Sequence, residues 1–165
     1  MFKVLKNSWA LFTGIGIMMI AHGLQSNLMG VRSVIEDFNV ITTGIFMSGY
    51  FVGYFFGSQT TPILVAKVGH IRVFAAFASM ASLSVLIVVV FVNPIIWTIA
   101  RFITGLSLVS CYIVAESWLN DRATNKNRGQ LLSAYMVILF TGLGIGMLLL
   151  NVGNPEDFEP FILVS

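Results

Sequence analysis

Arg101 lies inside the long apolar run that begins at Trp97, WTIARFITGLSLVSCYIVAESWLN. A charge within hydrocarbon costs at least about 2.5–3.5 kcal/mol at the centre of a span, which makes it a functional candidate by default. Arg101 stands seven residues past Pro94, roughly 10 Å along a helix at 1.5 Å per residue. From there its planar donor fork could line a polar cavity, or its long stem could snorkel to the headgroups. His22 and Gln25 fall a turn apart on one helix face, at a depth similar to Arg101. A buried histidine is either a structural hydrogen-bonder or a proton relay. Together His22, Gln25 and Arg101 make a polar cluster that none of them makes alone. Tyr112 shares a side of its helix with Gly105 and Glu116, as a cavity-lining or a packed interfacial residue.

Glu116 cannot complete that cluster. Fifteen positions separate it from Arg101, about 22 Å of helix. It is expected instead to hold a cation such as Arg72, Arg122 or Arg128, as a gate or as a solvated helix end. Nothing in the chain supports catalysis: there is no HExxH, no paired intramembrane aspartate, no glycine-framed serine and no P-loop. No enzyme activity, metal or cofactor is expected. The single cysteine, Cys111, can form no intramolecular disulfide. The chemistry on offer is binding and conformational gating.

The elements that hold these residues are membrane helices. Of 165 residues 57% are hydrophobic and 10% charged, with a mean hydropathy of +0.90. Ordinary soluble domains carry roughly 25% charged residues, so the class is a polytopic membrane protein in a lipid bilayer. A net charge of +2 gives no case for nucleic acid. Charge-free runs of about 20 residues mark the spans: helix 1 over 9–30, helix 2 over 39–66, helix 3 over 72–92, helix 4 over 94–118 and helix 5 over 130–150. Asn93-Pro94 divides a run too long for one span, as a turn and helix-start signal. A sixth apolar segment begins at about 161. The N-terminus resembles a signal peptide, but Ala21-His22-Gly23 is a poor cleavage site and further spans follow, so helix 1 is expected to be retained.

Alternating helices place Lys3, Lys6, Lys67, Arg72, Arg122, Lys126 and Arg128 on one side. The other side receives Glu36, Asp37, Glu156, Asp157 and Glu159, with Arg32 as its sole cation. The positive-inside rule puts the first set and the N-terminus in the cytoplasm. Trp9, Trp97 and Trp118 fall near helix ends, where an aromatic belt is expected. Gly49, Gly53 and Gly57 in helix 2, and Gly142 and Gly146 in helix 5, recur every four residues. Such stripes let helix backbones approach closely in lipid.

The order and spacing of Arg101-Phe-Ile-Thr-Gly105, of Gly69 in a short basic loop and of Arg128-Gly129 resemble the major facilitator superfamily. Val68-Gly-His-Ile-Arg72 and Glu116-Ser-Trp-Leu-Asn120 are similar to a bacterial, sugar-transporter-like branch without an assigned substrate. The resemblance covers nearly the whole chain as the N-terminal half, 1–165, of a twelve-helix fold. It implies an all-α transmembrane bundle in the cell inner membrane, here five full helices and the start of a sixth. It also implies secondary transport of a small-molecule substrate by alternating access, with proton coupling open. Arg101, His22, Gln25 and Tyr112 would line the pathway. Lys67, Gly69, His70, Arg72, Glu116, Arg122 and Arg128 would form a cytoplasmic gate or loop. In the superfamily's fold helices 2 and 5 face the other half, so both glycine stripes would pack on a C-terminal half or a second copy. Ala66 stands where the superfamily's loop carries an acid, which argues against its usual charge-relay gate. The competing reading is a non-transporting half-length protein that assembles with or regulates another membrane protein.

Overall fold

The computed structural model describes residues 9–151 and 164–165. Within them the chain forms α1 (Trp9–Ile35), α2 (Val40–Val68), α3 (His70–Val90), α4 (Pro94–Arg122) and α5 (Arg128–Leu149), with no strand among the described residues. The expected five-helix order holds, with ends moved by a few residues. Lys3, Lys6, Glu156, Asp157, Glu159 and the start of a sixth helix near 161 lie outside the described residues. Val164, which is described, is buried in the bundle, and Ser165 accepts a hydrogen bond from Ser82 at 2.7 Å.

Local chemistry sets the boundaries. Asn39 caps α2 by accepting from the Thr42 amide at 2.7 Å. Asn93 caps α4 in the same manner at Ile95 and Ile96, with Pro94 in the first turn where its missing N–H costs nothing. Gly69 alone separates α2 from α3. Its φ of 87° lies where a side chain would be strained. α1 runs five residues past its expected end because Arg32 donates from Nε to Glu36 one turn on, at 2.7 Å.

Helices α2 to α5 are each long and apolar enough to cross a membrane. α1 is not among these four, although its 27 residues reach about 40 Å. His22, Gln25, Ser26 and Asn27 near its middle lower its hydropathy. The bundle is built from α2 against α4, α3 against α4, and α1 against α5. Where α2 meets α4, a Cβ on Gly53 would fall on the Phe102 carbonyl and one on Gly105 on the Tyr50 carbonyl. Gly57 meets Val109 and Leu106, and Gly49 meets Thr98. Where α1 meets α5, Gly142 sits on Met19 and Gly16, Gly146 on Ile20, and Gly23 on Leu143.

These contacts correct the expectation that Gly49, Gly53, Gly57, Gly142 and Gly146 pack between halves. Both stripes are occupied by helices of this same chain, because lipid gives apolar helices little reason to associate except close packing. Hydroxyl pairs add to the packing around α4: Thr61 of α2 with Ser110 at 2.6 Å, and Ser84 of α3 with Thr104 at 2.8 Å. Trp97 also departs from its expected belt position. It is 1% exposed, packs edge-on to Phe38 and Phe46, and donates from Nε1 to the Phe91 carbonyl at 2.9 Å. A buried indole needs that acceptor.

The glycine contacts predict a contrast between packed and open helical glycines. Gly53→Ala and Gly146→Ala each force a methyl into neighbouring backbone and should cost about 1–3 kcal/mol. Gly14→Ala and Gly144→Ala meet open space and should cost nothing. Thermal unfolding in detergent compares the four; equal melting temperatures would contradict the packing.

Candidate functional site

The site follows from the closeness of α2 and α4. Because Gly105 has no side chain, the Tyr50 backbone lies directly against it, and the Tyr50 ring is carried to Arg101 one turn away on α4. The Arg101 Cζ sits 5.2 Å from the centre of the Tyr50 ring. The Tyr50 ring also stacks on His22 of α1, with centroids 5.6 Å apart and planes 14° from parallel. Tyr50 therefore joins His22 of α1 to Arg101 of α4. His22 faces the Arg101 charge.

Arg101 is 5% exposed, so it does not snorkel. Among the described residues it is the one charged side chain that is buried. Its Nη2 reaches only the Met47 sulfur, at 3.5 Å, and its Nε and Nη1 have no hydrogen-bond partner. A cation over an aromatic face gains about 2 kcal/mol when desolvated. A buried ion without a counter-charge costs several kcal/mol. The cost wins, and the described acids do not offset it. Glu36 pairs with Arg32, Asp121 faces His70, and Glu116 lies beside Tyr135. Asp37 occupies the turn after α1.

His22 and Gln25 line a cavity of about 310 Å³ bounded by α1, α3, α4 and the segment at Val164. Its wall is mostly apolar, with Ala78, Val85 and Leu108 beside Thr104 and Ser82. The His22 Nδ1 is buried without a partner, and Gln25 is buried on the same helix face. Arg101 does not itself line this cavity; His22, which faces the Arg101 charge, and Thr104, one turn from Arg101 on α4, are its nearest lining residues. Tyr112 donates from its hydroxyl to the Met19 sulfur at 3.4 Å, tying α4 to α1.

The Gly69 end of the bundle is polar in a different manner. The His70 Nε2 lies 3.0 Å from the Ser117 hydroxyl and 3.7 Å from the Asp121 carboxylate. Arg122 covers the Trp118 ring at 4.2 Å, and Arg128 donates from Nε to Asn120 at 2.7 Å. Lys67 and Arg72 are exposed. Glu116 forms no ion pair with Arg72, Arg122 or Arg128 among the described residues, which corrects the pairing expected of it. The two nearer cations are engaged by an indole face and an amide, while Glu116 lies near Tyr135, whose buried hydroxyl has no hydrogen-bond partner.

The sequence did not single out Tyr50 or Met47. In an apolar helix, tyrosine and methionine read as core filling. The one available signal was positional: Tyr50 directly follows Gly49 in the stripe that brings α2 onto α4.

Residues 11–152 match the Major Facilitator Superfamily. The chain belongs to that superfamily. Among curated proteins, the "Uncharacterized MFS-type transporter YcaD" of Escherichia coli O45:K1 is 28% identical over 149 residues, covering 88% of this chain and 38% of the relative. The proteins of the same name from Escherichia coli O81 and O6:K15:H31 match to the same extent. The chain thus spans 38% of the length of these relatives. No solved structure matches it. As a member of the superfamily, the chain is a multi-pass membrane protein; Arg101 and Tyr50 lie within its apolar spans, and His22 lies on α1 against them.

An uncompensated charge makes a specific prediction. Arg101→Gln removes the charge and keeps hydrogen-bonding groups, so the ligand-free protein should melt at the same temperature or higher. A fall of several degrees would show that Arg101 is paired and structural.

Proposed function

We infer that residues 1–165 form the N-terminal transmembrane half of a secondary active transporter for a small solute. The observation that carries this reading is Arg101, a buried guanidinium with two unpartnered nitrogens close to the cavity-lining His22, in a chain of the superfamily. Proteins do not retain such a charge in a membrane for stability, and a solute pathway is the usual reason for one. The matched relatives are named as transporters, which agrees.

In this mechanism the half moves as one body. Both glycine stripes are used internally, so α2–α4 and α1–α5 are locked pairs, suited to rocking against a second half around a site near the midplane. That second half, or a second copy, supplies the other wall. Arg101 holds the solute, and Tyr50 fixes the guanidinium plane. His22 is the group on which proton coupling rests, being a titratable side chain stacked on the same ring. Gln25 and Tyr112 complete the lining. The Gly69 end, with His70 held by Ser117 and Asp121, closes the cytoplasmic side.

The decisive variants separate charge from geometry. Arg101→Lys keeps the charge but loses the planar donors, so uptake should fall while membrane expression is retained. His22→Gln should remove the dependence of uptake on a proton gradient. Uptake into vesicles, screened over sugars, organic ions and drugs, is the measurement. Wild-type uptake by Arg101→Lys would contradict the assignment.

Orientation in the inner membrane follows from the cations at the Gly69 end and gives a second test. Ser33 is 1% exposed and unsuitable for labelling, whereas Val40 and Lys126 are exposed at opposite ends of the bundle. In a Cys111→Ala background, an impermeant thiol reagent applied to intact cells should label Val40→Cys and spare Lys126→Cys. The reverse pattern would place the N-terminus outside.

A further inference from the structure

We propose that the solute held at Arg101 is a small organic monocarboxylate with an apolar body. This inference rests on the transporter reading and narrows it to a chemical class. It starts from what the site lacks. A guanidinium has five N–H donors, and here one nitrogen reaches a thioether sulfur while Nε and Nη1 reach nothing. Sulfur is a weak acceptor, and the Tyr50 face offers none in the ring plane. The missing partner is therefore a planar, anionic acceptor, which a carboxylate supplies in the geometry a guanidinium binds best.

The charge count selects among anions. Arg101 is the one buried charge among the described residues, so a single negative charge neutralises the site. Inorganic phosphate is tetrahedral rather than planar, its dianion would leave a net negative charge in the membrane, and it has no apolar body for the neighbouring cavity. Sugars and other neutral solutes would leave the cation uncompensated, with the desolvation cost unrelieved. The neighbouring cavity defines the rest of the molecule. At about 310 Å³, with a mainly apolar wall on α1, α3 and α4, it takes a ring or a short aliphatic chain. His22 and Gln25 are its nearest polar groups, and the free Nδ1 of His22 can meet a second polar atom of the solute.

The probes are benzoate, benzamide and inorganic phosphate at constant ionic strength. Binding to the full 165-residue chain in nanodiscs is read by calorimetry and by melting temperature. Benzoate should bind saturably and raise the melting temperature, while its neutral isostere benzamide and phosphate should not. Arg101→Gln should weaken benzoate binding about ten- to a hundred-fold, as expected for loss of charge-assisted hydrogen bonds. Arg101→Lys, which keeps the buried charge, should weaken it less. Lys126→Gln, which removes a charge from the exposed loop after α4, should bind as wild type does. Equal binding of benzamide and benzoate would overturn the proposal. So would unchanged benzoate affinity in Arg101→Gln, or no benzoate response in the wild-type chain, as when a carboxylate of another membrane segment occupies the fork. Uptake distinguishes this failure from failure of the transporter reading. Arg101-dependent uptake of neutral solutes would refute the carboxylate and leave transport standing. Benzoate binding without uptake of any solute would do the reverse.

Discussion

The separation of α2 from α4 governs this molecule. At Gly53 and Gly105 the two backbones lie so close that a methyl on either helix would strike a carbonyl of the other. In water such a contact would be one of many. In lipid, where apolar surface gains nothing by leaving the solvent, close packing and interhelical hydrogen bonds are the principal attraction. Thr61–Ser110 and Ser84–Thr104 add hydroxyl pairs around α4, and Gly142, Gly146 and Gly23 repeat the device between α1 and α5. α4 is the shared element: it touches α2 through glycine and α3 through packed side chains, and far more of it is buried than of α2 or α3.

That same closeness creates the site. A wider helix pair would leave Tyr50 away from Arg101 and put lipid or water beside the guanidinium. Held as it is, the ring has a cation on one neighbour and the His22 imidazole on the other. The arrangement orients Arg101 without neutralising it. Orientation comes from an aromatic face and a thioether, neither of which uses the strong donors. A carboxylate in those positions would have made a stable ion pair and a closed site. The buried charge carries a desolvation cost that no described side chain offsets, and that unmet cost is what the proposed anion would relieve.

Much of this was legible in the sequence, and the reasons differ by feature. The five spans follow from charge-free runs and from Asn93-Pro94, since length and hydropathy are local properties. Arg101 and His22 stand out because polar groups are costly in lipid. Tyr50 does not, because an aromatic in a membrane helix looks the same whether it faces lipid, core or a cation. The glycine stripes were visible as packing surfaces, but their partners were not: spacing shows that a face is flat, and only the three-dimensional pairing shows what lies on it. Glu116 failed for a similar reason. Two of its three expected cations are close in sequence, yet Trp118 and Asn120 on its own helix engage Arg122 and Arg128 first, and Arg72 is exposed.

The openness of the Arg101 fork can be observed directly through its own nitrogens. With the full chain in nanodiscs and arginine labelled with nitrogen-15, the Nε–H signal is assigned as the one absent from Arg101→Lys. In the ligand-free protein it should report a guanidinium without an oxygen acceptor, and it should move on titration with benzoate but not with benzamide. An Nε–H already in a strong hydrogen bond before any anion is added, and unmoved by benzoate, would contradict the structure's central feature.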